Sequence, residues 1–468
     1  MFIAREKELR VLEDTFKKDG FQMTVIYGRR RIGKSTLITE FIKDKRASYY
    51  IARQSSLEDN IRKWSEQFIG DLVPEMAGVS FDDPDNFWRF VGNTCKEEKT
   101  IVVLDEIPYV AEADSSFLSH FQVAIDTVFA DKNIYLIICG SSISFMENKV
   151  LSEKSPIFGR RTNQIYLKPF DYLDSAKFVP NYTNEEKAIV YGVTGGVAKY
   201  LTLFDDSISL DDNLIRNFFT PSGYLYEEPM NLLTQEFRTV NTYNTVIELC
   251  AAGANKMNEI SEKAHISSAA LSFVMRSLMT VGIVSKVTPI TEKENSKKTS
   301  YEIADGMYRF WYTFIPSARA MIEVGRGEVF YNSYVKGKLH QFMGRVFEEM
   351  CRSYILISGT EEKMGCLITS VGRWWGTGHD RVPTDIDVVG IDRVNNKAVI
   401  GECKFQNDSI GRSVYEALLA RRGLIDKKYE EVRYLFFSLS GYSKWVLDNY
   451  DENSACLLTL DDLYSAGV

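Results

Sequence analysis

The chain has 468 residues, 45% hydrophobic and 26% charged, enough for about three domains at roughly 100–200 residues each. That composition excludes a wholly disordered or collagen-like chain. With 56 Lys plus Arg against 64 Asp plus Glu the net charge is −8, which excludes a globally basic nucleic-acid binder but leaves room for a local basic groove. Seven cysteines are scattered without a C-x-x-C pair and read as reduced thiols. The four histidines, His120, His265, His340 and His379, are far apart, so no zinc pattern arises and any metal is expected on oxygen ligands. The N-terminus lacks a signal-peptide core, and no run reaches the roughly 20 apolar residues of a membrane span. The expectation is a cytoplasmic protein with no membrane partner.

The first apolar, β-branched run, Met23 to Tyr27, reads as a buried strand. It leads directly into Gly28-Arg29-Arg30-Arg31-Ile32-Gly33-Lys34-Ser35-Thr36, a complete G-x-x-x-x-G-K-S signature. Leu37, Ile38, Phe41 and Ile42 follow at helical spacing, so the motif lies between a strand and a helix. Its glycines let backbone N–H groups wrap phosphate oxygens at a helix N-terminus, where the macrodipole favours negative charge. Residues 28–36 are therefore the expected ATP-binding loop. Lys34 is expected on the β- and γ-phosphates and the Ser35 hydroxyl on Mg.

The partner motif is Thr100-Ile-Val-Val-Leu-Asp105-Glu106, by composition a fully buried parallel strand ending in acids. Asp105 is the expected Mg-holding acid, through water, and Glu106 the group that orients or deprotonates the attacking water, which points to hydrolysis. A third strand, Ile134 to Cys139, runs into Gly140-Ser141-Ser142, where ligands of parallel sheets collect. Ser141 or Ser142 senses the γ-phosphate or caps the next helix. Phe158-Gly159-Arg160-Arg161 precedes an edge strand over 164–167, and an arginine there is placed to reach the γ-phosphate in cis or from a neighbouring subunit.

These motifs, with the opening Phe2-Ile-Ala-Arg5-Glu6-Lys-Glu8-Leu9, Leu-Lys-Pro-Phe at 167–170 and the Gly195-Gly196-Val-Ala-Lys-Tyr200-Leu run, resemble the archaeal-type AAA ATPases of the STAND group of P-loop NTPases. The resemblance covers about residues 1–205. One departure is Ala198, where the family has proline in a nucleotide-sensing turn.

Polar, turn-rich stretches at 205–225 suit a domain connection. Beyond them, helices are expected over 243–252, 257–265 and 267–281, the last capped by Ser267. A hairpin of 282–287 with 299–304 and a long tip over 291–298 follows, so the pattern is a winged helix-turn-helix. Its third helix carries one charge, Arg276, and Lys293, Lys297 and Lys298 of the tip are offset by Glu292 and Glu294. DNA contact and protein packing are both open to it. The aromatic run Asp305 to Tyr312 is expected at a domain interface.

Near the end, strands over Thr384–Ile391 and Lys397–Phe405 are joined by Asn395-Asn396 and read as a hairpin. By two-residue periodicity Asp387 shares a face with Asp385, and Glu402 with Lys404. Acids projecting from apolar strands are costly to bury unless they bind a cation or one another. Asp387 followed by Glu402-x-Lys404 resembles the PD-(D/E)XK nuclease superfamily, and a helix beginning at Gly344 supplies Glu348 or Glu349, the family's Phe-Glu pattern favouring Glu348. Gly372-Arg373-Trp374-Trp375 and the run 401–405 are similar to the domain of unknown function fused to these ATPases. The resemblance implies that Glu348, Asp387 and Glu402 hold Mg or Mn for phosphodiester hydrolysis, with Lys404 steadying the nucleophile.

The expected fold is α/β throughout: a P-loop ATPase domain with helical lid over 1–225, a winged helix-turn-helix over 226–318, and a PD-(D/E)XK nuclease-like domain over 319–468. The expected function is a Mg-dependent ATPase whose nucleotide state controls a nuclease-like domain acting on DNA. The alternative is a nucleotide-gated switch whose C-terminal domain grips nucleic acid or a partner protein without cutting. A homo-oligomer or a regulatory protein is the expected partner.

Overall fold

The computed structural model describes residues 2–294, 296–358 and 361–465. The chain divides into two compact units, one running to Pro169 and including Val197–Lys199, the other made of Phe170–Gly196 and the chain from Tyr200 onward.

The first unit is built on five parallel strands, β1 (Gln22–Tyr27), β2 (Ala47–Ile51), β3 (Thr100–Asp105), β4 (Ile134–Gly140) and β5 (Asn163–Tyr166). Their order across the sheet is β2-β3-β4-β1-β5. Every residue of β3 and β4 is buried, as expected of central strands covered on both faces. One face packs on Trp64, Trp88 and Phe121, the other on Leu37, Ile38 and Phe41 of helix Lys34–Ile42. Each such side chain contributes about 1.5–3 kcal/mol by leaving water. In this order β1, β3 and β4 lie side by side, so their carboxyl ends open onto one crevice, the usual ligand position in such sheets. The edge strand expected over 164–167 is β5, one residue shifted.

In the second unit, helices Val240–Ala251, Met257–Lys263 and Ser268–Thr280 are followed by an antiparallel hairpin, β6 (Val284–Val287) and β7 (Ser300–Ile303). Ser267 caps the third helix, its side chain accepting from the Ala270 N–H at 3.2 Å. Asn295 of the hairpin tip lies outside the described residues. The aromatic run at 305–312 opens the long helix Gly306–Glu323, which is started by Asp305 as cap.

A second sheet of five strands follows: β8 (Ser370–Thr377), β9 (Pro383–Asp392), β10 (Lys397–Lys404), β11 (Glu430–Ser438) and β12 (Ala455–Thr459), ordered β12-β11-β10-β9-β8. It is mixed: β8, β9 and β10 pair antiparallel, β10, β11 and β12 parallel. The expected hairpin is β9 with β10, Lys397 opposite Asp392 and Gly401 opposite Val388. Helix Leu339–Ser358 packs against β8, β9 and β10. It begins a turn before the expected Gly344, because Leu339 and Met343 are buried and extend the apolar stripe backward. Helix Arg412–Ala420 belongs to the core of Trp374, Ile386, Ile400 and Phe436.

Among the described residues no helix is long and apolar enough to cross a membrane. All seven cysteines are free thiols.

Candidate nucleotide site and carboxylate cluster

At the end of β1 the loop 28–33 turns under tight steric control. A Cβ on Gly28 would lie 2.4 Å from the Leu167 carbonyl oxygen, so only glycine fits. Gly33, at φ 96°, lets the chain enter helix Lys34–Ile42. The buried Lys34 ammonium donates to the carbonyls of Gly28 at 2.9 Å and Arg29 at 3.1 Å. Ser35 Oγ donates to Asp105 Oδ2 at 2.9 Å, joining the loop to the end of β3. Asp105 is 2% exposed and takes a further bond from the Tyr49 hydroxyl at 2.5 Å. Burial, and then the Asp105 charge, hold that hydroxyl far above the usual tyrosine range.

Glu106 adopts φ 54°, a left-handed conformation that costs roughly 1–3 kcal/mol in a residue with a long side chain. Its Oε2 accepts from the Ser141 N–H at 3.2 Å and the Ser141 hydroxyl at 2.9 Å. The two serines past β4 thus divide the work left open between them. Ser141 fixes Glu106, and Ser142 caps the next turn by accepting from the Phe145 N–H at 3.4 Å. Arg160 is bound to Asp126 through Nε at 2.7 Å and Nη2 at 2.5 Å, while Arg161 lies over the Phe158 ring.

Two further supports reach the loop. Arg5 donates to the carbonyls of Lys168 at 2.7 Å and Ile32 at 3.4 Å. The Lys199 N–H donates to the Arg31 carbonyl at 3.2 Å, and Ala198 packs under Gly33. The turn in which alanine replaces the family's proline therefore touches the phosphate loop. Ser35 and Asp105 form an oxygen-only donor pair, which fits the hard cation Mg.

The second cluster lies at the β9–β10 pair. Asp387 Oδ2 accepts from the Cys403 N–H at 2.9 Å. Burial, and then the charges of Glu402 and Glu348, push its carboxyl up to about 7. Glu402, 7% exposed, accepts from Lys404 Nζ at 2.5 Å and from Arg421 just past helix Arg412–Ala420. Glu348 accepts from Arg352 at 3.3 Å, and Arg352 also donates to the Asp387 carbonyl at 2.7 Å. Burial raises Glu348 as well. Glu349, the other acid considered, instead accepts from Arg309 at 2.9 Å.

Asp387, Glu402, Lys404 and Glu348 are thus brought into one electrostatic unit. Yet among the described residues no group of three or more His, Cys, Asp or Glu side chains is arranged to hold a metal ion. Arg352 engages Glu348, and Arg421 with Lys404 engages Glu402, so two of the three expected carboxylates are ion-paired in the structure. Sequence reasoning missed Tyr49, Arg352 and Arg421. Arg352, four residues after Glu348, carried an i, i+4 signal; Tyr49 and Arg421 carried none.

Residues 2–204 match a family model described as an ATPase domain predominantly from Archaea. The chain carries an ATPase domain. Residues 311–416 match a second model, described as archaeal and bacterial proteins of unknown function. The uncharacterized protein MJECL04 of Methanocaldococcus jannaschii is 29% identical over 462 residues, spanning 98% of each chain. From the same organism, the uncharacterized ATP-binding protein MJ0423 is 39% identical over 46 residues, 10% of this chain and 78% of that one. Among solved structures, the Walker-type ATPase PABY2304 of Pyrococcus abyssi shares the fold with a TM-score of 0.52 at 18% identity, over 66% of this ATPase chain and 96% of that one.

Proposed function

We propose that this ATPase uses its nucleotide state to control a PD-(D/E)XK nuclease-like domain that acts on DNA. In this reading the domains run 1–225, 226–318 and 319–468, the middle one a winged helix-turn-helix. Within the nucleotide site, the 28–36 loop cradles the phosphates, with Lys34 on the β- and γ-oxygens. Ser35 and Asp105 would hold the Mg that accompanies ATP, which would supply positive charge beside the phosphates. Glu106, fixed by Ser141, orients the attacking water and accepts its proton.

The observation that carries the C-terminal half is Asp387, a half-buried acid at the β9–β10 pair whose proton affinity is raised by desolvation and by two further carboxylates. Acids perturbed in this way cluster at functional sites. Lys404, two residues after Glu402, is the group placed to steady a nucleophile. Cleavage in this arrangement requires Arg421 and Lys404 to release Glu402.

The closed ion pairs on Glu402 and Glu348 support the second reading, a nucleotide-gated switch that grips nucleic acid or a regulatory protein without cutting. Metal-dependent cleavage of linear and supercoiled DNA, with and without ATP, decides between them. Cutting that disappears in Glu402→Ala supports the nuclease. An intact ATPase, abolished by Lys34→Ala, with no cutting under any condition, leaves the switch. Absence of ATP turnover in the parent protein sinks both.

A further inference from the structure

A cavity of about 600 Å³ opens in the second unit between helix Gly306–Glu323, the segment 330–338 and helix Leu339–Ser358. Nothing in the ATPase or in the proposed carboxylate chemistry uses it. Its volume lies within the roughly 300–1,000 Å³ typical of ligand sites. Its walls are chemically divided. Arg309, Lys338 and Arg345 contribute cations, and no lining residue is acidic. Phe330 and Tyr334, with ring centroids 5.2 Å apart, face a cavity also walled by Phe314 and Phe342, themselves 6.0 Å apart.

The cations exceed the acids behind them. Arg309 bonds Glu349, and Glu302 is shared by Arg345 and Arg373. Two carboxylates therefore serve three guanidinium groups, and Lys338 adds a fourth positive charge with no ion pair among the described residues. Arg309 is 9% exposed, with Nε and Nη2 bound to the Ile303 and Ala304 carbonyls and to Glu349. Its Nη1 is a buried donor with no hydrogen-bond partner. Burial brings Arg345 down to about 10, so it stays cationic at neutral pH. Tyr334 is 58% exposed, an aromatic face in water beside a basic cavity.

Cationic groups next to open aromatic rings match a ligand that carries both phosphate and a flat base. Arg345 and Glu348 sit one turn apart on the same helix, so this chemistry runs along helix Leu339–Ser358 toward Asp387 and Glu402. We infer that the cavity receives one nucleotide of a single-stranded nucleic acid, its phosphate on Arg309, Lys338 and Arg345 and its base on Phe330 and Tyr334. The inference deepens the proposed nucleic-acid reading, and rests on it for the choice of a strand over a free nucleotide.

The test is anisotropy of 5′-labelled (dT)15 with the full-length protein, across a salt series, for the parent, Tyr334→Ala and Lys338→Ala. Both side chains are exposed, so the variants should fold, and denaturant melts compared with the parent check that they do. Loss of a stacked base weakens binding in Tyr334→Ala by about tenfold. Lys338→Ala flattens the slope of log affinity against log salt by about 0.7, one phosphate contact on a single strand. Parental affinity and slope in both variants overturn the inference, as does a parent that binds no (dT)15, or one that binds dTMP but not the strand. Binding that depends on the cavity without any cleavage sustains the inference and defeats the nuclease reading. Cleavage with cavity-independent binding does the reverse.

Discussion

The phosphate-loop site and the carboxylate cluster both gather acids beside a sheet, yet they neutralise those acids differently. At the end of β3, Asp105 is served by the neutral hydroxyls of Ser35 and Tyr49, and Glu106 by Ser141. A hydroxyl can turn from donor to acceptor as a cation arrives, so that site is wired for an incoming ion. At β9–β10 the outer acids are held by Arg352, Arg421 and Lys404, charges that compete with a metal. The first site stands ready for its ligand, and the carboxylates of the second are already engaged by cations.

The largest effect is expected from removing the group proposed to take the proton in the ready site. Glu106→Gln keeps the bond-accepting oxygen for Ser141 but cannot take a proton. ATP turnover is expected to fall by about 10²-fold or more, while nucleotide binding, followed with a fluorescent ATP analogue, stays near the parent's. Equal loss of binding and turnover would mean that Glu106 shapes the loop rather than the reaction.

The locked site should respond in stability instead. Arg421→Ala leaves Glu402, 7% exposed, with Lys404 as its remaining cation. Removing the sole partner of a buried charge costs roughly 3–5 kcal/mol, so losing one of two is expected to cost about 2 kcal/mol. Denaturant melts of the second unit's signal measure it. If instead added Mg or Mn restores the lost stability in Arg421→Ala but does nothing for the parent protein, the arginine is a gate over a metal site. A stability loss that no metal repairs marks a permanent structural lock.

This contrast was only half legible in the sequence. The ready site uses two short runs, each a strand followed directly by its loop, so local spacing disclosed Lys34 and Ser35 in one and Asp105 and Glu106 in the other. Tyr49 was hidden because its role depends on β2 pairing beside β3, Tyr49 opposite Val103, a register that no local pattern encodes. In the cluster, period-two alternation put Asp387 on a face with Asp385 and Glu402 on a face with Lys404, and it was the resemblance of the D…E-x-K spacing to PD-(D/E)XK nucleases that singled out Asp387, Glu402 and Lys404. The arginines that lock them come from helix Leu339–Ser358 and from just past helix Arg412–Ala420, and β11 and β12, which complete the sheet, went unread. Charge pairing across such distances in sequence is a tertiary property, and it decides whether a D…E-x-K pattern presents free or engaged carboxylates.

The most discriminating effect is the pH dependence. Asp387 is pushed up to about 7 by burial and by the charges of Glu402 and Glu348, from an ordinary carboxyl near 3.8 in the unfolded chain. The folded protein therefore binds this proton more tightly than the unfolded chain does. The resulting stabilisation is complete below the unfolded value and is lost as pH rises through the folded one. Between pH 5 and 8 the parent should lose stability relative to Asp387→Asn, which keeps the shape but never acquires the charge. Melting temperatures of the two proteins, compared at each pH so that all other titrations cancel, are expected to separate by about 2–4 °C at the alkaline end for each kcal/mol of charge repulsion removed. Curves that stay parallel would show that Arg352, Lys404 and Arg421 already neutralise the cluster at every pH, and the second site would then be no more strained than the first.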